Sequence, residues 1–159
     1  MFRLYKRDKE NELRAYYEVW AEPARRRIIE HWGVVGEAGE TETHRIWFFG
    51  GLEKQFEKIM APARAQGFEE IALGDYETLI VMFTDQDDVP TPQESASVAD
   101  RINEILGWTG LGFCHSDEVS GKDIDLTCRV IDAGLARGLI QTETADDDLL
   151  SQYSLRFTD

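Results

Sequence analysis

Histidine, proline and cysteine are all scarce in this chain, at three, four and two among 159 residues. Two cysteines, Cys114 and Cys128, are too few for a disulfide framework, so two reduced, half-buried thiols are expected. With only His31, His44 and His115 available and no evident nucleophile, no Ser/His/Asp or Cys/His set has support, and no enzyme is expected. No apolar run approaches the roughly 20 residues that cross a bilayer, so no membrane partner is expected. The opening MFRLYKRDKENE is charged from its third residue and lacks an apolar stretch, which predicts no signal peptide and a cytoplasmic location. Positive charge is short too, with 17 Lys and Arg against 31 Asp and Glu.

Several site patterns fail for want of a component. Gly110-Leu111-Gly112 follows a predicted helix and precedes a predicted strand, the reverse of a dinucleotide loop. Gly121-Lys122-Asp123 lacks the rest of a P-loop. Asp85, Asp87 and Asp88 lack the glycine and terminal glutamate of a calcium loop. Cys114 and His115 are neighbours in a predicted strand and should point to opposite faces, which separates them as metal ligands with Asp117 and Glu118. No metal or cofactor is expected.

What the chain does have is 42% hydrophobic residues with 17 aromatics, enough for packed cores. Its net charge of −14 is unevenly placed. Residues 1–73 hold 12 Lys and Arg against 13 Asp and Glu (−1), and residues 74–159 hold 5 against 18 (−13). That asymmetry predicts two units, 1–73 and 74–159, with different partners.

The first half predicts four strands at 2–7, 13–20, 26–35 and 40–48. In the second, Leu13, Ala15, Tyr17 and Val19 alternate with Arg14, Tyr16, Glu18 and Trp20. The turn Gly36-Glu37-Ala38-Gly39 joins the third and fourth. After Gly50-Gly51 the period changes to helical, with Leu52, Phe56, Ile59, Met60 and Ala63 on one face and Lys54, Lys58 and Arg64 opposite. Pro62 should break or kink the last turn, Gly67 should cap it, and residues 68–73 should return as a short strand. The result is a small antiparallel sheet covered by one helix.

This order, the aromatic strand AYYEVW, the turn Trp32-Gly33-Val34-Val35-Gly36, the helix LEKQFEKIMAPARAQ and the closing Gly-Phe resemble the WGR domain. That family occurs in DNA-dependent poly(ADP-ribose) polymerases and many bacterial proteins. The resemblance implies that Trp32, Gly33 and Gly36 carry the motif, with Gly39 completing the turn. It also implies a nucleic-acid surface, for which Trp32, Arg45, Lys54, Lys58 and Arg64 are the candidates. Val34 replaces the motif arginine and supplies neither its charge nor its fork of donors. Arg25, Arg26 and Arg27 open the third strand and so point to alternate faces. A near-neutral half is not the basic footprint of a nucleic-acid binder. Packing is accordingly the favoured role for Trp32.

The second half begins with Leu79–Phe83, an apolar run expected to be buried on both faces. Thr91, Pro92 and Glu94 form a capping box before a helix carrying Val98, Ile102, Ile105 and Leu106, ended by Gly107 and Gly110. A strand at 111–115, an acidic connection at 116–118 and a strand at 124–131 follow. Asp132 should cap a second helix with Leu135, Leu139 and Ile140, before a polar turn at 142–148 and a last strand at 153–157. The predicted fold class is α+β: a WGR-like unit, then a βαββαβ unit that resembles a ferredoxin-like sandwich.

Acidic residues concentrate in predicted connections, giving Asp85, Asp87, Asp88, Asp117, Glu118, Asp123 and Asp125 as partner-binding candidates. The favoured function is a non-enzymatic, two-module protein whose acidic half engages a basic protein, for instance as an immunity or inhibitor protein of a nucleic-acid-processing toxin. One alternative is a WGR-type module binding DNA ends or breaks, which Val34 and the net charge disfavour. Another is acidity that serves solubility alone.

Overall fold

A computed structural model describes residues 1–47, 51–85 and 88–158. Phe48, at the end of the fourth predicted strand, Gly50 before the predicted helix and the acidic candidate Asp87 lie outside them. The chain divides into two units, Met1–Ala72 and Leu73–Asp159. Together they hold two four-stranded antiparallel sheets and three α-helices among the described residues, an α+β architecture.

The first unit is a meander of β1 (Phe2–Arg7), β2 (Leu13–Glu22), β3 (Arg27–Val34) and β4 (Glu40–Arg45), paired in chain order. The arginine run does not open one strand. Pro23–Arg25 is a 3-10 turn, Arg26 takes a left-handed conformation, and β3 starts at Arg27. Helix α1 (Gly51–Ala65) lays Phe56, Met60 and Ala63 on one face of the sheet, against Leu4, Tyr17, Val19 and Ile28.

Pro62 does not end this helix, which runs on to Ala65. Proline removes only its own N–H from the ladder, and the last turn closes through Gln66 and Gly67 instead. Gly67 is left-handed (φ 91°), and the Phe68 N–H bonds the Ala63 carbonyl at 3.1 Å, the closure of a Schellman cap. The returning strand expected at 68–73 reduces to one bridge, Tyr5 to Glu69.

In the second unit β5 (Glu77–Asp85), α2 (Pro92–Trp108), β6 (Gly112–Ser120), β7 (Asp123–Val130), α3 (Ala133–Ala145) and β8 (Tyr153–Thr158) form a sheet ordered β6-β7-β5-β8. Thr91 and Glu94 make the capping box, and the Asp132 carboxylate accepts from the Leu135 N–H at 2.8 Å. The core joins Leu79, Val81 and Phe83 of β5 to Ile124, Leu126 and Val130 of β7, with Val98, Ile102, Ala136 and Ile140 from the helices.

Four expectations change here. The β5 run alternates, with Ile80 and Met82 only half-buried, because both helices pack on one face. Strand β6 continues through Ser120, so Asp117 and Glu118 belong to a strand rather than a connection. Helix α3 continues to Ala145, its Thr142 and Thr144 hydroxyls folding back onto the Gly138 and Ile140 carbonyls. Cys114 and Cys128 are directly opposite on β6 and β7 and form a disulfide, not two thiols. Spacing along the chain could not reveal that register.

Candidate functional site

Each sheet gathers ionisable groups that only its strand register brings together. In the first unit they lie on the α1 face. Glu30 of β3 stands directly opposite Glu42 of β4, and His44 follows two residues along, on the same face. The His44 Nε2 approaches Glu30 Oε2 at 2.6 Å, and the Tyr17 hydroxyl donates to the other Glu30 oxygen. Burial, the Glu30 hydrogen bond and the negative charge of Glu30 and Glu42 push the Tyr17 phenol well above its ordinary pKa, in that order. A cavity of about 350 Å³ opens here between β4 and α1, lined by Ile28, Glu30, His44, Trp47, Lys58 and Ile59 among others.

The nucleic-acid candidates do not converge on one basic surface. Lys58 and Arg45 line this cavity, but Glu30 and His44 line it with them. Register also sets Arg45 opposite Arg27, on the face away from α1. Arg64 is paired with Glu57 and Glu70, while Lys54 is exposed on α1. Trp32 is half-buried against the apolar core and lines a neighbouring cavity of about 250 Å³ with Tyr17, Glu30 and Phe68. Val34 is 50% exposed.

The glycines at this hairpin end have a steric reason. A Cβ on Gly33 would stand 2.9 Å from the Tyr16 hydroxyl, and one on Gly39 would collide with that hydroxyl and with the Trp32 carbonyl. Gly36 supplies the positive φ (91°) of the turn. The hairpin end therefore closes over Tyr16. On that face, away from α1, Tyr16, His31 and Glu18 are all buried. With its proton on Nδ1, His31 donates to Glu18 at 3.2 Å and accepts from Tyr16 at Nε2, 3.0 Å away. Arg3 pairs with the same Glu18 carboxylate. Desolvation, chiefly, pushes the Tyr16 phenol up to about 12, and the Glu18 charge adds to this.

In the second unit the charge lies on the helix-free face. Glu118 of β6 is directly opposite Asp125 of β7, and Asp123 shares their face two residues away. Burial first, then the charges of Asp123 and Glu118, hold the Asp125 carboxyl above its ordinary range. Arg156 on β8 offsets this from 3.4 Å off Asp123. The other acidic candidates stand apart. Asp117 faces α2 and accepts from the Ser95 hydroxyl at 2.7 Å. Asp85 ends β5 and accepts from the Asp88 N–H at 3.1 Å.

Sequence reasoning passed over Glu30, Glu42, Tyr17 and the Glu18–His31–Tyr16 chain. Glu42 and His44 at i and i+2 of a predicted strand were the available signal, and Glu30 joins them only through the register of β3 on β4. Comparisons with known protein families, with curated proteins and with solved structures find no match to this chain.

Proposed function

We propose that this chain is a non-enzymatic binding protein of two units, and that the helix-free face of the second sheet engages a basic protein. The observation that carries this reading is the Glu118–Asp125–Asp123 group. Like charges directly opposite on neighbouring strands are destabilising, and one Asp125 oxygen is buried without a hydrogen-bond partner. A lysine or arginine from a partner would relieve the repulsion. The −13 balance of residues 74–159 would speed such an encounter and repel nucleic acid. An inhibitor or immunity protein that covers a cationic site fits this chemistry.

The βαββαβ order, with sheet order second-third-first-fourth, supports the ferredoxin-like reading of this unit. The meander with one covering helix and the Trp32 turn supports the WGR-like reading of the first. Its nucleic-acid role has weaker support, since Lys58 shares its cavity with Glu30 and Arg64 is paired to carboxylates.

The test is affinity capture from the source cell with wild type and an E118Q/D123N/D125N variant, at low and high salt. A basic protein retained only by wild type and released by salt is the expected result. Equal capture by both would overturn the reading. Gel shifts with blunt, nicked and single-stranded DNA decide the alternative: binding lost in Trp32→Ala would favour it.

A further inference from the structure

We propose that Glu30, Glu42 and His44 form a binding site for one divalent cation of the zinc class. The three offer ligand atoms that all lie within 4.8 Å of one another. Strand geometry explains why. Cross-strand partners and i, i+2 neighbours point to one face, so two carboxylates and an imidazole converge from backbone that is already paired. Two oxygens and one nitrogen suit a borderline ion that takes imidazole and carboxylate together.

The distances suit an ion after a small adjustment. Ligand bonds of about 2.0–2.2 Å around tetrahedral zinc set donors roughly 3.3–3.5 Å apart. The 2.6 Å contact between His44 and Glu30 would open, and the remaining separations would close from within 4.8 Å. Glu42 is exposed and His44 half-buried, so both side chains have room to move.

Three further observations favour a cation here. Glu30 and Glu42 are like charges directly opposite, and among the described residues no lysine or arginine forms an ion pair with either. The Tyr17 hydroxyl holds one Glu30 oxygen, as outer-shell groups orient metal ligands, and leaves the other facing His44. The cavity beside the group gives an ion an entry path and leaves its fourth position open.

The experiment is calorimetric titration of the chelator-treated full chain with zinc chloride, repeated with cobalt chloride and followed by absorbance. Wild type should bind one equivalent, and cobalt should give the visible bands of a low-symmetry nitrogen and oxygen site. His44→Ala and Glu42→Gln should each weaken binding at least 10-fold. Glu40→Gln, on the same strand and face, should leave it unchanged. Tyr17→Phe should weaken binding about 10–100-fold, the usual cost of losing an outer-shell partner. Circular dichroism of the metal-free variants checks the fold, and Glu42→Gln alters only an exposed side chain, so it remains decisive if His44→Ala does not fold. Absence of saturable binding, or binding that survives Glu42→Gln at full strength, overturns the proposal.

Discussion

The two units place their charges in opposite ways. The first takes ionisable groups inside and pairs them, as in the Arg3–Glu18–His31 cluster, where Glu18 and His31 are 2% and 1% exposed. The second keeps a core of Leu, Val, Ile and Phe and sets its carboxylates on strand surfaces and connections. Near neutrality in the first comes from 12 Lys and Arg against 13 Asp and Glu, while −13 in the second is charge largely turned outward. Net charge read from a sequence does not distinguish these arrangements. Register does.

The comparison breaks most readily at Glu18. Glu18→Ala removes the carboxylate that both Arg3 and His31 use, and breaking a buried pair in this way costs about 3–5 kcal/mol. Hydrogen exchange should show the loss in residues 1–72, with the second unit unaffected. Reduction of Cys114–Cys128 is the converse experiment. The bridge closes a loop of sequence separation 14, for which the chain-entropy estimate is about 3 kcal/mol. Denaturant unfolding with and without reductant should show that loss in the second unit alone, and thiol titration before reduction should find no reactive cysteine.

Thr91→Ala tests a contribution that is local to the second unit. It removes the hydroxyl that accepts from the Glu94 N–H at 3.2 Å, and about 1 kcal/mol should be lost in the same unfolding measurement.

The smallest effect is a dependence on pH. The folded-state pKa of Asp125 is raised, so between its ordinary value and that raised value the folded chain binds more protons than the unfolded one. Its contribution to stability is present below the ordinary value and is lost as pH rises through the raised one. Asp147, lowered chiefly by its hydrogen bond from Arg101, acts in the opposite sense and loses its contribution as pH falls. Asp125→Asn should therefore remove part of the decline in stability from acid toward neutral pH. A slope of midpoint against pH identical to wild type would exclude this role for Asp125.

Local signals were legible in the sequence. Thr91-Pro92 with Glu94, Asp132 and Gly67 each act within a few residues, and each appears as a cap. Features that depend on which strands lie side by side were not. Cys114 meets Cys128, Glu118 meets Asp125 and Glu30 meets Glu42 only once the strands are in register. The acidic 116–118 segment has the composition of a connection, with three polar residues in a row. In β6 those residues alternate instead between the α2 side and the open face, so polarity and strand formation coexist.

Strand β4 has a further consequence. It is outermost in its sheet and its sequence, ETETHR, contains no apolar residue. An outer strand is a template on which a foreign strand can pair, and charged side chains are one protection against such stacking. Glu40, Glu42 and Arg45 place charge along this edge, the kind of protection such strands need. Neutralising Glu42 leaves one less barrier to edge-to-edge growth, and the colloidal behaviour of that variant reports directly on how the protein guards this flank.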